Sequence, residues 1–89
     1  MFYTEKFQSD EGPTKIYGEP YSEAVSIMLE NIGQERVYYG SENVSVKGET
    51  QGMSLQPFEK SPVINLGNSE KLYITSISPS TVVALIFNR

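Results

Sequence analysis

The amino-acid sequence predicts one all-β domain: an antiparallel β-sandwich or small barrel of about seven to eight strands with an N-terminal arm. Hydrophobic residues alternate with polar ones in short runs, as in strands that bury one face. Turn-forming residues separate these runs at intervals of about 8–12 residues, which leaves no parallel β-α-β unit. The chain has 89 residues, enough for one hydrophobic core and too few for two.

The N-terminal residues differ from the rest of the chain, because their aromatic side chains are spaced irregularly among glycines, prolines and charges. Only Tyr3–Gln8 and Thr14–Tyr17 could form strands there. We therefore assign residues 1–22 to an N-terminal arm or edge hairpin and residues 23–89 to the β-sandwich domain. Aromatic residues in an arm either cover their own domain or contact a partner. The candidate partner-contact residues are Phe2, Tyr3, Phe7, Tyr17 and Tyr21.

The segment from Glu23 to Ile32 predicts the first strand of the sandwich. Val25, Ile27 and Leu29 alternate with less apolar neighbours, which is typical of a half-buried strand. A helix is the alternative, since several residues of the segment are good helix formers. The β-branched Val25 and Ile27 favour the strand.

A hairpin is predicted next, from Arg36–Gly40 and Asn43–Lys47. The polar segment Lys47–Gly52 has no Gly-Lys-Ser/Thr sequence, so it is interpreted as a flexible hairpin tip and not as a phosphate-binding loop. Met53–Leu55 is a short strand-like piece. Pro57 and Pro62 place the residues around them at an edge or in a loop, because proline has no N–H to donate.

Three further strands are predicted at Val63–Leu66, Leu72–Ile77 and Thr81–Phe87. The short turn sequences between them indicate two successive antiparallel hairpins. The last run is apolar at nearly every position. Both of its faces should therefore be covered, either because the strand is central or because one face meets another subunit.

The composition argues against catalysis, so we predict that the chain is not an enzyme and binds no cofactor and no metal. It contains no cysteine and no histidine, which excludes disulfides, Ser-His-Asp triads and the usual zinc ligands. Serines are numerous, but there is no Ser-x-x-Lys sequence. The carboxylates that could form a glycosidase pair are interpreted as solvated surface groups. They are Glu30, Glu35, Glu42, Glu49, Glu59 and Glu70.

Charge and hydrophobicity narrow the possible partners. A net charge of −4 repels nucleic-acid phosphates, so no nucleic acid is expected. No stretch approaches the roughly 20 apolar residues that cross a membrane, and the first residues lack the apolar run of a signal peptide. A domain this small is marginally stable unless disulfides, metals or neighbours support it. Another protein chain is thus the expected support.

The tyrosines suggest an alternative function, a free-standing ligand-binding module such as a carbohydrate-binding module. Exposed tyrosines on a β-sandwich can stack on sugar rings. Tyr38 and Tyr39 are adjacent in a predicted strand, with Tyr73 elsewhere in the sandwich. Because alternate residues of a strand face opposite sides, at most one of Tyr38 and Tyr39 can belong to such a platform.

The order of short motifs from Asn31 onward resembles small β-sandwich structural proteins of tailed-bacteriophage virions. The matching pieces are Asn31, Val37-Tyr38-Tyr39-Gly40, Asn43-Val44, Gly52-Met53-Ser54-Leu55-Gln56-Pro57, Leu72-Tyr73-Ile74 and Thr81-Val82-Val83-Ala84-Leu85. One departure is Phe58-Glu59, where the pattern usually has Gly-Glu after the proline.

The resemblance implies a non-catalytic virion component, such as a capsid decoration, neck or tail accessory protein. It implies assembly in the host cytoplasm, other virion proteins as partners, and a homo-oligomer that is frequently a trimer around a symmetry axis. No catalytic residue is carried over from this resemblance.

Overall fold

The structure of the protein, a computed structural model, describes residues 2–46 and 53–88. These residues form eight β-strands and no helix. The strands are β1 (Phe2–Ser9), β2 (Thr14–Tyr17), β3 (Val25–Asn31), β4 (Val37–Gly40), β5 (Met53–Leu55), β6 (Ile64–Leu66), β7 (Leu72–Ser76) and β8 (Ser80–Asn88). Because it contains no helix, the described part of the chain has no helical segment able to cross a membrane.

The strands form two four-stranded antiparallel sheets, which confirms the all-β class and identifies the architecture as a sandwich. Sheet A has the order β1-β8-β3-β6, and sheet B has the order β2-β7-β4-β5. The longest pairing joins β1 to β8, from Phe2 opposite Phe87 to Ser9 opposite Ser80. The first and last strands in the sequence are therefore neighbours.

Residues 2–22, which belong to the segment assigned to an arm or edge hairpin, contribute β1 and β2. These two strands are the edge strands of different sheets. They coincide with the two pieces of the segment that the sequence indicated as able to form strands. Strand β1 is the longest edge strand of the sandwich.

The hydrophobic core lies between the sheets and follows the alternation seen in the sequence. In β8, Val82, Ala84 and Ile86 are almost fully buried, while the residues between them are half-buried. The same alternation in β3 buries Ile27 and Leu29. The strand prediction for this segment is thus confirmed over the helical alternative, because a helix would not place alternate residues on one face.

The two predicted hairpins among the last three strands are wrong. Strand β6 pairs with β3 in sheet A, β7 pairs with β2 and β4 in sheet B, and β8 returns to sheet A. Consecutive strands therefore cross between the sheets. After a short turn, the chain can pair the next strand with the previous one or cross to the other sheet. Here it crosses, because each sheet packs its apolar face against the other sheet.

The predicted strand Asn43–Lys47 is also wrong for the described residues up to Val46. The chain turns after β4, with the Val44 N–H donating to the Ser41 carbonyl at 2.9 Å. The Val44 side chain is buried, although it belongs to no strand. An apolar residue that covers a sheet from a loop gives the same local pattern as a strand residue. Lys47 and the rest of the predicted tip, Lys47–Gly52, lie outside the described residues.

Two polar contacts connect the sheets within the buried interior. The Ser9 and Ser76 hydroxyls are 2.7 Å apart and join β1 to β7. The Asn31 amide donates to the Leu55 carbonyl at 3.1 Å and joins β3 to β5. Every buried side-chain nitrogen and oxygen of the described residues has a hydrogen-bond partner. The buried polar side chains of the described residues therefore carry no desolvation penalty for lack of a partner.

Candidate protein-interaction surface

The side of sheet A that faces away from the core carries an apolar surface. Strand β8 is central in this sheet, so its outward residues Val83, Leu85 and Phe87 would meet solvent on a face that sheet B does not cover. All three are half-buried by their neighbours. We call this side, formed by the outward residues of β1, β8, β3 and β6, the outer face of sheet A.

Cross-strand register arranges the outer face in rows. In the first row, Phe2 lies opposite Phe87, and Phe87 lies opposite Ser26 on its other side. In the second row, Leu85 lies between Thr4 and Met28. Directly opposite side chains on one face are in contact range. The apolar residues of these rows therefore form a continuous patch, and Phe2 keeps 69% of its surface exposed.

The third row of the outer face is charged at its ends. Val83 lies between Lys6 of β1 and Glu30 of β3, and Glu30 is in turn opposite Lys60. Only Lys71 and Glu19 form a salt bridge within residues 2–46 and 53–88, at 3.5 Å. The Lys6, Glu30 and Lys60 charges are therefore not neutralised by ion pairs there.

A groove of about 250 Å³ runs along the second and third rows. Its lining is apolar on the β8 side and charged at the sheet edge. The lining residues are Thr4, Met28, Leu29, Glu30, Lys60, Val83 and Leu85. A groove with an apolar floor and charged ends suits a partner side chain that has an apolar body and a polar tip.

A second exposed cluster, which we call the aromatic corner, consists of Tyr3, Tyr17, Tyr21 and Glu23. The Tyr17 and Tyr21 rings stack with centroids 6.1 Å apart and planes at 19°. Tyr17 is buried, whereas Tyr21 exposes 58% and Tyr3 exposes 45% of their surfaces. Tyr17 thus forms the support, and Tyr21 presents its ring to solvent.

The aromatic corner has a negative electrostatic character. The Tyr17 hydroxyl donates to the Glu23 carbonyl at 3.1 Å and lies 3.5 Å from its carboxylate. Burial, followed by the charge of Glu23, raises the pKa of Tyr17 above 10.0. Burial, followed by the charge of Glu5, raises the pKa of Tyr3 as well. Carboxylates close to a phenol disfavour its ionisation and would favour a cationic group.

The five candidate partner-contact residues lie in three places. Phe2 is on the outer face of sheet A, Tyr17 and Tyr21 stack in the aromatic corner, and Tyr3 lies near enough to interact with them electrostatically. Phe7 is half-buried and packs against the hydrophobic core.

The sequence did not identify Met28 and Lys60 as surface residues. For β8 it predicted that both faces are covered, either by a central position in the sheet or by another subunit. A signal was present at Met28, because it is the apolar member of the outward series Ser26, Met28 and Glu30.

The tyrosines that suggested a sugar platform are not arranged as one. Tyr38 and Tyr39 are both buried. Tyr39 belongs to the hydrophobic core, while Tyr38 does not, so the prediction that the two face opposite sides is confirmed. Tyr73 is half-buried in sheet B. These three side chains therefore form no exposed stacking platform, and the exposed aromatic rings lie elsewhere.

Phe58 is a further exposed aromatic residue, and its backbone is in an unfavourable conformation. It lies in a turn with φ of +67°, where bulky residues are rare. The Glu59 N–H donates to the Gln56 carbonyl at 3.0 Å and closes the turn. The side chain is 70% exposed, so burial does not compensate for the backbone strain.

The carboxylates considered as a catalytic pair are spread over several elements. Glu30 and Glu35 are half-buried, and Glu42, Glu59 and Glu70 are exposed, while Glu49 lies outside the described residues. Among the residues that the structure describes, no three carboxylates converge as potential metal ligands.

Comparison with known proteins gives no family that matches this chain, and no curated protein matches it.

Proposed function

We propose that the chain acts without catalysis, by protein-protein assembly through the outer face of sheet A. The observation that carries the proposal is the apolar patch centred on Leu85, in the central strand of an otherwise uncovered face. Monomeric proteins seldom leave large apolar patches in water unless they bind something. In addition, the small size of the domain favours support from a neighbouring chain.

The context we propose for this assembly is a bacteriophage particle, in which the chain serves as a capsid decoration, neck or tail accessory protein in the virion. The support is the order of motifs from Asn31 onward. Most of their pieces fall on β4, β5 and β7, which are neighbouring strands of sheet B, and on β8 at the centre of sheet A. The piece on β8 includes Val83 and Leu85 of the outer face of sheet A, which is the face proposed to contact other copies or other virion proteins.

The test uses point substitutions, since deleting the N-terminal residues would remove a strand from each sheet. Leu85→Lys places a charge in the centre of the patch and should abolish self-association or particle incorporation while the fold is retained. Gln8→Lys adds the same charge to an exposed position of the same face, outside the patch, and is the matched control. Molar mass in solution and the amount of protein in purified native particles are the readouts. Equal association of wild type and Leu85→Lys would reject the proposal.

A second candidate is the free-standing ligand-binding module, for which the exposed Tyr21 ring stacked on Tyr17 is the favouring observation. Aromatic rings held flat at a surface suit sugar faces. Titration with a panel of glycans, compared with Tyr21→Ala, tests it. Absence of a signal with the wild-type protein would remove this candidate.

A further inference from the structure

The outer face of sheet A and the aromatic corner carry complementary chemistry. The outer face offers an apolar groove with Lys60 at its end and Lys6 across the patch. The corner offers the exposed Tyr21 ring beside Glu23 and lies near Glu5. A lysine next to an aromatic ring gains a cation–π contact, and one next to a carboxylate gains an ion pair.

Neither surface satisfies its charges internally. Within the described ranges, the single ion pair is between Lys71 and Glu19, so Lys60 and Glu23 form none there. Glu23 interacts with the neutral Tyr17 hydroxyl. The complementary groups therefore remain available to a second molecule.

The two surfaces can be used at the same time because they face different directions. Phe2 and Tyr3 are consecutive in β1, and alternation places Phe2 on the outer face and Tyr3 on the opposite side. A copy bound at one surface leaves the other open. An interface between two different patches of the same chain is heterologous, and it closes into a ring or continues as an open chain.

Building on the proposed assembly function, we propose that the partner on the outer face is the aromatic corner of a second copy of this chain. Tyr21 of one copy enters the groove beside Leu85 of the next, with its ring near Lys60, and Glu23 pairs with the same lysine. The contact is head to tail, so each copy donates one corner and accepts one.

The experiment measures molar mass against concentration for two charge-reversal variants, separately and mixed. Glu23→Lys leaves the outer face intact but blocks the corner, and Lys60→Glu does the reverse. Each variant alone should associate at least about tenfold more weakly than wild type, because like charges then face each other. An equimolar mixture should recover association, because opposite charges then face each other at both kinds of contact between the two variants.

Controls separate this contact from the assembly function itself. Glu42→Lys makes the same charge change at an exposed site away from both surfaces and should associate as wild type does. Tyr21→Ser removes the inserted ring without changing charge and should behave like Glu23→Lys. Wild-type association in Glu23→Lys and Tyr21→Ser, with loss in Leu85→Lys, would overturn the head-to-tail contact and leave the assembly function standing. If the wild-type protein stays monomeric at high concentration and is absent from purified native particles, both the head-to-tail contact and the proposed assembly function are overturned.

Discussion

The Ser80 hydroxyl donates to the Asn31 side-chain oxygen at 3.0 Å, deep inside the sandwich. Both residues belong to sheet A, and the Asn31 amide reaches across to the Leu55 carbonyl of sheet B. The amide also donates to the Glu35 carbonyl at 2.6 Å, and its oxygen accepts from the Gly33 N–H at 3.0 Å. The fully buried Asn31 side chain therefore connects β3 and β8 of sheet A, the turn that follows β3, and β5 of sheet B.

Asn31→Ala should lower the free energy of unfolding by about 2–4 kcal/mol, because the substitution leaves buried backbone groups without partners. Chemical denaturation measures the change. Asn68→Ala is the matched control, since Asn68 is exposed and accepts one hydrogen bond, from the Ala24 N–H at 3.2 Å; it should cost less than about 1 kcal/mol. Equal losses in the two variants would contradict the role given to Asn31.

Gly33→Ala should destabilise the fold because there is no space for a methyl group. A Cβ at this position would lie 2.6 Å from the Thr81 backbone nitrogen and still closer to the Ser80 hydroxyl. Backbone cannot move aside without disturbing β8, so the expected loss is about 1–3 kcal/mol. At Gly67, the nearest atom to an added Cβ is the Glu70 carboxylate at 3.0 Å, the end of a flexible side chain. Thermal unfolding should show a clearly smaller loss for Gly67→Ala.

Phe58→Gly should stabilise the isolated protein by about 0.5–1 kcal/mol. Glycine removes about 1–2 kcal/mol of strain from the left-handed backbone conformation. It also raises the conformational entropy of the unfolded chain, which lowers the stability of the fold by less than that amount. Phe58→Ala keeps the strain and removes the exposed ring, so its stability should be close to that of wild type. Urea denaturation of the three proteins distinguishes these effects. A glycine variant no more stable than the alanine variant would contradict the strain assigned to the Phe58 backbone, whereas an alanine variant clearly less stable than wild type would show that the ring contributes to the fold.

Stability should fall in alkaline solution through the buried tyrosines. Burial, followed by the charge of Glu59, raises the pKa of Tyr39 above 10.0. Between the ordinary and the raised pKa, the unfolded chain has lost the proton that the native state retains. The free energy of unfolding therefore declines as pH rises through this window, and is unaffected by this group below it. Tyr39→Phe should reduce the decline without changing neutral stability, as measured by denaturation at a series of pH values.

The sequence predicted the parts of the fold that depend on local alternation. Val25, Ile27 and Leu29 repeat with a period of two, and that period decides which face is buried whatever the neighbouring strand is. The pairing of strands was not predictable in the same way. The turn before Leu72 is compatible with a hairpin or with a change of sheet, and only the packing of the whole core selects between them.

The candidate surface was predictable only in part, for a related reason. Phe2, Tyr3 and Tyr21 stand out as aromatic residues in a region without regular spacing. Lys60 becomes part of a surface only through its position opposite Glu30, which depends on long-range register. Groups brought together by pairing between distant strands leave no local signal in the sequence.

The pairing of β1 with β8 joins the two strands of the sandwich that are farthest apart in the sequence. Sheet A is incomplete until β8 is in place, and bringing together strands this far apart in sequence carries a loop-closure cost. Folding is therefore expected to be slow for a domain of this size. During that delay the apolar side of β8 stays accessible, so newly made copies would meet one another, or a chaperone, before the sandwich is sealed.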